Sequence, residues 1–291
     1  MISSTEQNLF GLPVERDILF SNHKGTYKKG IEKRQTKFIE KISFIKPFLK
    51  EGEKIILVTT GCSPMTVLEQ LLTGWIVFYL KRSLLVFTNM RIFHIPTKMN
   101  YSYRNSIAQI LYGDCHTIAL KGRTLVIEYK NGKKEKFYYT AWRERKKIKA
   151  LLKTISLKGE QSKTKERIHL CPRCTKELVE DKYTCQYCRL SFKDKAEGKK
   201  VAIIYPGGGY FYTGHPILGF GDAITELVLM ILVVVSLFNV LKGNESGISL
   251  LIFYGILLFF EKVITVYHSN HFINEYIPKE KEIKPIPIIG K

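Results

Sequence analysis

Two stretches in the last third of the chain are apolar on every helical face. Leu227–Phe238 reads LVLMILVVVSLF, and extension to Pro216 and Leu241 gives a 26-residue segment with proline at the start expected of a helix. A polar loop, Lys242–Gly247, precedes a second run from Ile248 to about Tyr267. Each is long enough to cross roughly 30 Å of hydrocarbon, so the pattern predicts a transmembrane helical hairpin. A buried helical pair in a soluble domain is the alternative, and LVLMILVVVSLF and LLIFYGILLFF are too uniformly apolar for it.

Upstream the period changes. Lys54–Thr60, Trp75–Lys81, Leu84–Thr88 and Arg91–Ile95 are short runs rich in Val, Ile, Phe and Tyr, and read as strands. Thr124–Lys130 and Lys133–Tyr139 flank Asn131-Gly132, a strong hairpin signal. Ser63–Trp75 intrudes after the first strand with helical character. A helix capped by Thr140 then follows, with Ile148, Leu151, Leu152 and Ile155 on one stripe. Nearer the N-terminus, Gly30–Phe44 is a basic amphipathic helix ended by Pro47. Ile31, Phe38, Ile42 and Ile45 lie along one side, with Lys33, Arg34, Lys37 and Lys41 on the others. This helix either lies on an anionic membrane surface or packs on the β-rich domain with its basic face in water.

Charge sharpens the picture. The 291-residue chain carries +20, and residues 1–200 hold 40 of the 46 cations but 19 of the 26 acids, a net +21. Such a block seeks a polyanion: anionic lipid, nucleic acid or an acidic protein. Lys199 and Lys200 precede the hairpin, and Lys279, Lys281 and Lys284 follow it. The positive-inside rule therefore places both termini on the cytoplasmic side of an inner (cytoplasmic) membrane. The N-terminus lacks a charged stretch followed by an apolar one, so no signal peptide is expected.

Four of the six cysteines form two tight pairs, Cys171/Cys174 in CPRC and Cys185/Cys188 in CQYC, ten residues apart. Two such knuckles supply four thiolates in a tetrahedron, the geometry of structural Zn²⁺. Iron needs similar knuckles, and two disulfides are the alternative in an oxidising compartment. Arg173, Lys176 and Arg189 offset the −2 charge of a Zn(Cys)₄ centre. The isolated Cys62 and Cys115 fit a reducing compartment, and Cys115-His116 is a weak candidate thiol site.

The hairpin holds charges at depth: Asp222, Glu226, Glu261 and Lys262. With the loop centred near residues 244–245, Glu226 and Lys262 lie at nearly the same level. An unpaired charge there costs about 2.5–3.5 kcal/mol, so an intramembrane ion pair is expected. Asp222 joins from one turn earlier, and Glu261 points to headgroups or a partner. His268 and His271 form an H-x-x-H at the end of the second helix.

The stretch Leu84–Pro96, LLVFTNMRIFHIP, resembles the strand–turn–strand of bacterial PH-like and GRAM-like domains, with Thr88, Asn89 and Arg91 at the turn. The resemblance spans about 100 residues by element order and implies a β-barrel closed by a C-terminal helix. Some such folds bind phosphoinositides or peptides. The knuckles resemble short zinc ribbons. PGGGYFYTGHPILG, within residues 201–221, resembles the opening of small bacterial two-helix membrane domains. That stretch is apolar, aromatic and rich in glycine, and reads as a short interfacial or re-entrant helix with Tyr205, Tyr210, Phe211 and Tyr212 at headgroup depth.

The expected fold class is thus a multidomain α+β membrane protein. A basic helical segment (1–50) leads into a PH-like β-barrel domain (51–157). A basic linker with a zinc ribbon (158–198), a transmembrane α-hairpin (199–278) and a cytoplasmic tail (279–291) follow. No nucleophile elbow, phosphate-binding loop, HExxH or paired-carboxylate pattern occurs, so no catalysis is expected. The expected function is a membrane-anchored adaptor binding anionic lipid headgroups or a cytoplasmic protein. Lys33, Arg34, Lys37, Lys41, Arg143, Arg145, Lys146 and Lys147 are its candidate lipid-facing cations. A membrane-tethered nucleic-acid binder and an accessory subunit of a membrane enzyme or transporter are the alternatives. Only Tyr183 and Tyr187 stand near the ribbon as stacking aromatics, which disfavours nucleic acid.

Overall fold

A computed structural model describes residues 7–280 and Ile283, and its contacts divide into two compact units. The expected tail beyond residue 280, with Lys281 and Lys284, otherwise lies outside the described residues.

The first unit ends at Leu190. Strands β1 (Gln7–Leu9) and β2 (Leu12–Val14) and helix α1 (Arg16–Leu19) lead into α2 (Lys29–Lys41) and a 3₁₀ segment, Ser43–Phe48. Next come β3 (Ile55–Cys62), the short helices α3 (Val67–Thr73) and α4 (Val77–Leu80), then β4 (Arg82–Thr88), β5 (Arg91–Pro96) and β6 (Ile107–Leu111). Strands β7 (Cys115–Lys121), β8 (Thr124–Tyr129) and β9 (Lys134–Phe137) precede α5 (Arg145–Thr154) and β10 (Ile168–Leu170).

β3 to β6 form an antiparallel meander at the centre of a seven-stranded sheet ordered β1-β2-β3-β4-β5-β6-β10. β7 to β9 form a separate three-stranded sheet. The central strands are apolar on both faces because both faces are covered. Leu84, Val86, Phe93 and Ile107 pack with Leu19, Ile39, Ile42 and Ile45 from the N-terminal helical segments. Leu85, Phe87, Ile92 and Ile110 pack with Leu125, Ile127 and Phe137 of the second sheet and with Ile148 and Leu151 of α5.

The expected closed barrel is not formed. The outer edge of β3 pairs with β2 and that of β6 with β10, so both edges that closure requires are occupied. The two sheets meet in an isolated bridge, Cys62 with Tyr138, joined by hydrogen bonds of 2.7 and 3.2 Å.

The Thr88-Asn89-Met90-Arg91 turn has a structural purpose. Thr88 Oγ1 accepts from the Arg91 and Met90 amides and donates to Glu53 Oε1 at 2.8 Å. Asn89 ties down the 50s loop through the Lys54 amide and the Gly52 carbonyl. Arg91 pairs with Glu53 at 2.7 Å, both buried, and also donates to Phe48 O.

Several expectations are corrected. Trp75–Lys81 is not a strand: it is a 3₁₀ turn followed by α4, and periodicity alone does not separate strand from helix in so short an apolar run. Helix α2 stops at Lys41, and Pro47 sits inside the following 3₁₀ segment. Thr140 does not cap α5; its hydroxyl donates to Arg123 O at 2.9 Å. The 158–167 segment is pinned rather than a free linker. Ser162 N donates to Asp114 Oδ1 at 2.8 Å, and Gly113 packs where an added Cβ would lie 2.2 Å from Glu160 O.

The second unit, Ser191–Lys281, contains α6 (Lys195–Ile204), α7 (Gly208–Thr213), α8 (Pro216–Leu241) and α9 (Glu245–Ile273). With mean hydropathies of 2.5 and 2.0, α8 and α9 are long and apolar enough to cross a membrane. The glycine-rich run builds the base of this hairpin. Gly207 has φ +66°, and a Cβ there would lie 2.1 Å from Gly219 O on α8. Only glycine permits that approach.

Candidate metal centre and the hairpin charge cluster

The two knuckles are built alike. In the first, Thr175 N donates to Cys171 O at 2.9 Å and Cys171 N to Lys176 O at 2.8 Å. In the second, Arg189 N donates to Cys185 O at 3.0 Å and Cys185 N to Leu190 O at 2.9 Å. The residue after each second cysteine is left-handed, Thr175 at φ 62° and Arg189 at φ 57°. This repeated turn points both thiols of a pair the same way. The four sulfurs lie within 4.8 Å of one another, with Cys171–Cys188 at 3.4 Å and Cys174–Cys185 at 3.6 Å. No disulfide is formed among them. Four bonds of about 2.3 Å to one tetrahedral ion require sulfurs roughly 3.8 Å apart, so the constellation fits such an ion.

Cys171 and Cys185 are buried, while Cys174 and Cys188 are half-buried. Burial raises the Cys171 thiol well above its ordinary range and pushes Cys174 up to about 11. At Cys185 burial is outweighed by hydrogen bonds from the Cys188 and Tyr187 amides, and the thiol is lowered. A metal must therefore displace protons from most of the cluster. The cluster is also not free-standing. β10, just before Cys171, pairs with β6, with Leu170 opposite Ile107.

Cys62 and Cys115 are buried thiols, pushed by burial up to about 11 and about 12, and are poor nucleophiles.

In the second unit, Lys262 Nζ lies 2.6 Å from Glu226 Oε2 and donates to Ala202 O at 2.9 Å. Gly207 N reaches the same carboxylate oxygen at 3.3 Å. Thr265 Oγ1 donates to Asp222 at 3.1 Å. Glu261 does not point away from these groups: the carboxylates of Asp222, Glu226 and Glu261 offer oxygens within 4.8 Å of one another. Tyr210, expected at headgroup depth, is buried, its hydroxyl 2.6 Å from His268 Nδ1. His268 is thereby tied into the hairpin base. Tyr205 and Phe211 are exposed and Tyr212 is half-buried.

The basic candidates divide. Lys33, Lys37, Lys41, Arg143 and Lys146 are exposed. Arg145 is half-buried, with its guanidinium 5.1 Å from the centre of the Trp142 ring. Two are corrected. Arg34 Nε donates to the buried Glu144 at 2.9 Å. Lys147 is 5 % exposed and donates to Leu19 O at 2.8 Å. Burial lowers its pKa to about 8. Sequence spacing did not find a cavity of about 430 Å³ in the first unit, lined by Arg82, Arg123, Cys62, Tyr79, Tyr101 and Tyr139 among others. Its residues come from five separated segments, and no local signal joins them.

No protein-family model, curated protein or solved structure matches the chain.

Proposed function

We propose that the protein is a non-enzymatic adaptor anchored in a cytoplasmic membrane by α8 and α9, with both termini and the basic block on the cytoplasmic side. Its soluble part grips anionic lipid headgroups or an acidic cytoplasmic protein. The observation that carries this is the pairing of two helices, of 26 and 29 residues and apolar enough to cross a membrane, with a +21 block in residues 1–200. An anchor keeps such a block at high effective concentration beside the bilayer. The succession of a four-strand meander, a three-strand meander and α5 supports an open PH-like module. Zn²⁺ is the ion the Cys171/Cys174/Cys185/Cys188 set suits best, serving structure because four thiolates leave no open position.

The test uses the full chain in phosphatidylcholine nanodiscs. At low ionic strength it should capture phosphatidylglycerol vesicles but not phosphatidylcholine vesicles, and added salt should release them. A chain that ignores anionic vesicles yet retains duplex DNA in the same buffer is a tethered nucleic-acid binder instead.

A further inference from the structure

The segment between β3 and β4 carries two charged residues in the stretch 63–81, Glu69 and Lys81. They are hidden together. Lys81 Nζ lies 3.3 Å from Glu69 Oε1, with side chains 2 % and 1 % exposed. Three large apolar side chains of α3 are exposed among its described residues: Val67 at 70 %, Leu68 at 50 % and Leu71 at 76 %. The helix is held in shape by Thr66, whose hydroxyl accepts from Glu69 N at 3.0 Å. Three large aliphatic side chains in water on one seven-residue helix ask for a partner surface.

The surroundings say which surface. On α4, which packs against α3, Phe78 meets Tyr139 at 4.2 Å between ring centres. Arg123 stands over the Tyr139 ring at 5.3 Å, and Arg82 over Tyr79 at 4.8 Å. Both arginines line the 430 Å³ cavity, and no carboxylate lines it among the described residues. Trp142, 64 % exposed, follows three residues after Tyr139. An apolar tip with its own charges concealed, backed by two guanidiniums and amphipathic rings, matches the layering of an anionic bilayer: acyl chains, then headgroup phosphates.

We infer that α3 is a membrane wedge: Val67, Leu68 and Leu71 enter the acyl boundary of an anionic bilayer while Arg82 and Arg123 hold a headgroup phosphate in the cavity that α4 lines. This rests on the proposed lipid-binding function and gives it an element and a depth.

The test places a dansyl-bearing amino acid at position 71 of the full chain, held in phosphatidylcholine nanodiscs. Phosphatidylglycerol vesicles containing brominated lipid are then added. Emission should shift to the blue and be quenched by the bromines. Leu68→Ser with Leu71→Ser should weaken vesicle capture on the order of tenfold, the scale of withdrawing a large aliphatic group from an apolar phase. Arg82→Gln with Arg123→Gln should weaken capture of anionic vesicles similarly. Tyr139→Glu, at an exposed position that keeps both arginines, should do the same by occupying Arg123. Vesicles that are captured without quenching at position 71 overturn the wedge and leave the adaptor function standing. Blue-shifted emission that bromines do not quench means a protein surface covers α3, which also overturns it. Failure of capture altogether removes both.

Discussion

Glu226 and Lys262, 36 residues apart, meet at 2.6 Å between α8 and α9, and the same ammonium also reaches Ala202 O in α6. The pair therefore joins three helices, not two. Glu226 is wholly buried, and its Oε2 further accepts from Gly207 N. Removing either partner leaves the other charge uncompensated in a low-dielectric site, which is strongly destabilising.

Glu226→Lys and Lys262→Glu should each lower the amount of protein recovered in the membrane fraction. The double swap should restore part of it. Restoration is incomplete because the exchanged carboxylate would face Ala202 O and the exchanged ammonium would face the Gly207 N–H. Single variants that accumulate like the unaltered chain would show that the pair holds nothing.

Glu53 and Arg91 form the corresponding buried pair of the first unit, with Thr88 and Phe48 O completing their hydrogen bonds. Glu53→Gln leaves the Arg91 guanidinium without a counter-charge. The expected loss is about 3–5 kcal/mol for that unit. A thermal scan of tryptophan fluorescence reads it, since Trp75 and Trp142 both belong to that unit. An unchanged midpoint would mean that the turn does not depend on the pair.

Lys147 makes stability rise with pH. Burial lowers its pKa from 10.5 to about 8. Between those values the unfolded chain binds more protons at this site than the folded one, so folding becomes more favourable as pH rises from about 8 toward 10.5. Lys147→Met should flatten that rise in the first unit's thermal midpoint. Parallel pH profiles for the variant and the unaltered chain would refute the assignment.

What sequence could show depended on how local each cause is. The apolar hairpin and the cysteine knuckles were legible because their signals lie in uniform hydrophobicity and in spacing. The Asn131-Gly132 turn was legible for the same reason. β6 and β7 were not: they flank Gly113, whose role is to let the backbone near Glu160 approach. The sequence shows α2 as an aliphatic stripe with a basic face. Its lock on β3 is Gln35, whose amide exchanges two hydrogen bonds with the Val58 backbone at 2.8 and 3.0 Å. Lys147 looked like a surface cation because its partner, Leu19 O, is 128 residues away. The three carboxylates of the hairpin gather because α8 and α9 cross at that level. Residue depth alone did not fix which way Glu261 turns.

The four-cysteine cluster gives the last prediction. Purified protein should carry one Zn²⁺ per chain by elemental analysis, and its four thiols should resist alkylation until a chelator is added. Because burial raises Cys171 and Cys174, binding displaces protons, so affinity should increase with pH through the neutral range and the ion should leave on acidification. Cys185→Ser removes one of four ligands and should abolish retention of the ion. The knuckle cannot then hold its turn, and protease should cut first between residues 171 and 190. The effect should extend to β10, because Leu170 pairs with Ile107 at the sheet edge. Hydrogen exchange at β6 should therefore speed up in the variant, while α8 and α9 keep their protection. Metal-free protein with four freely alkylating thiols, and β6 protected as before, would show that the knuckles fold without an ion.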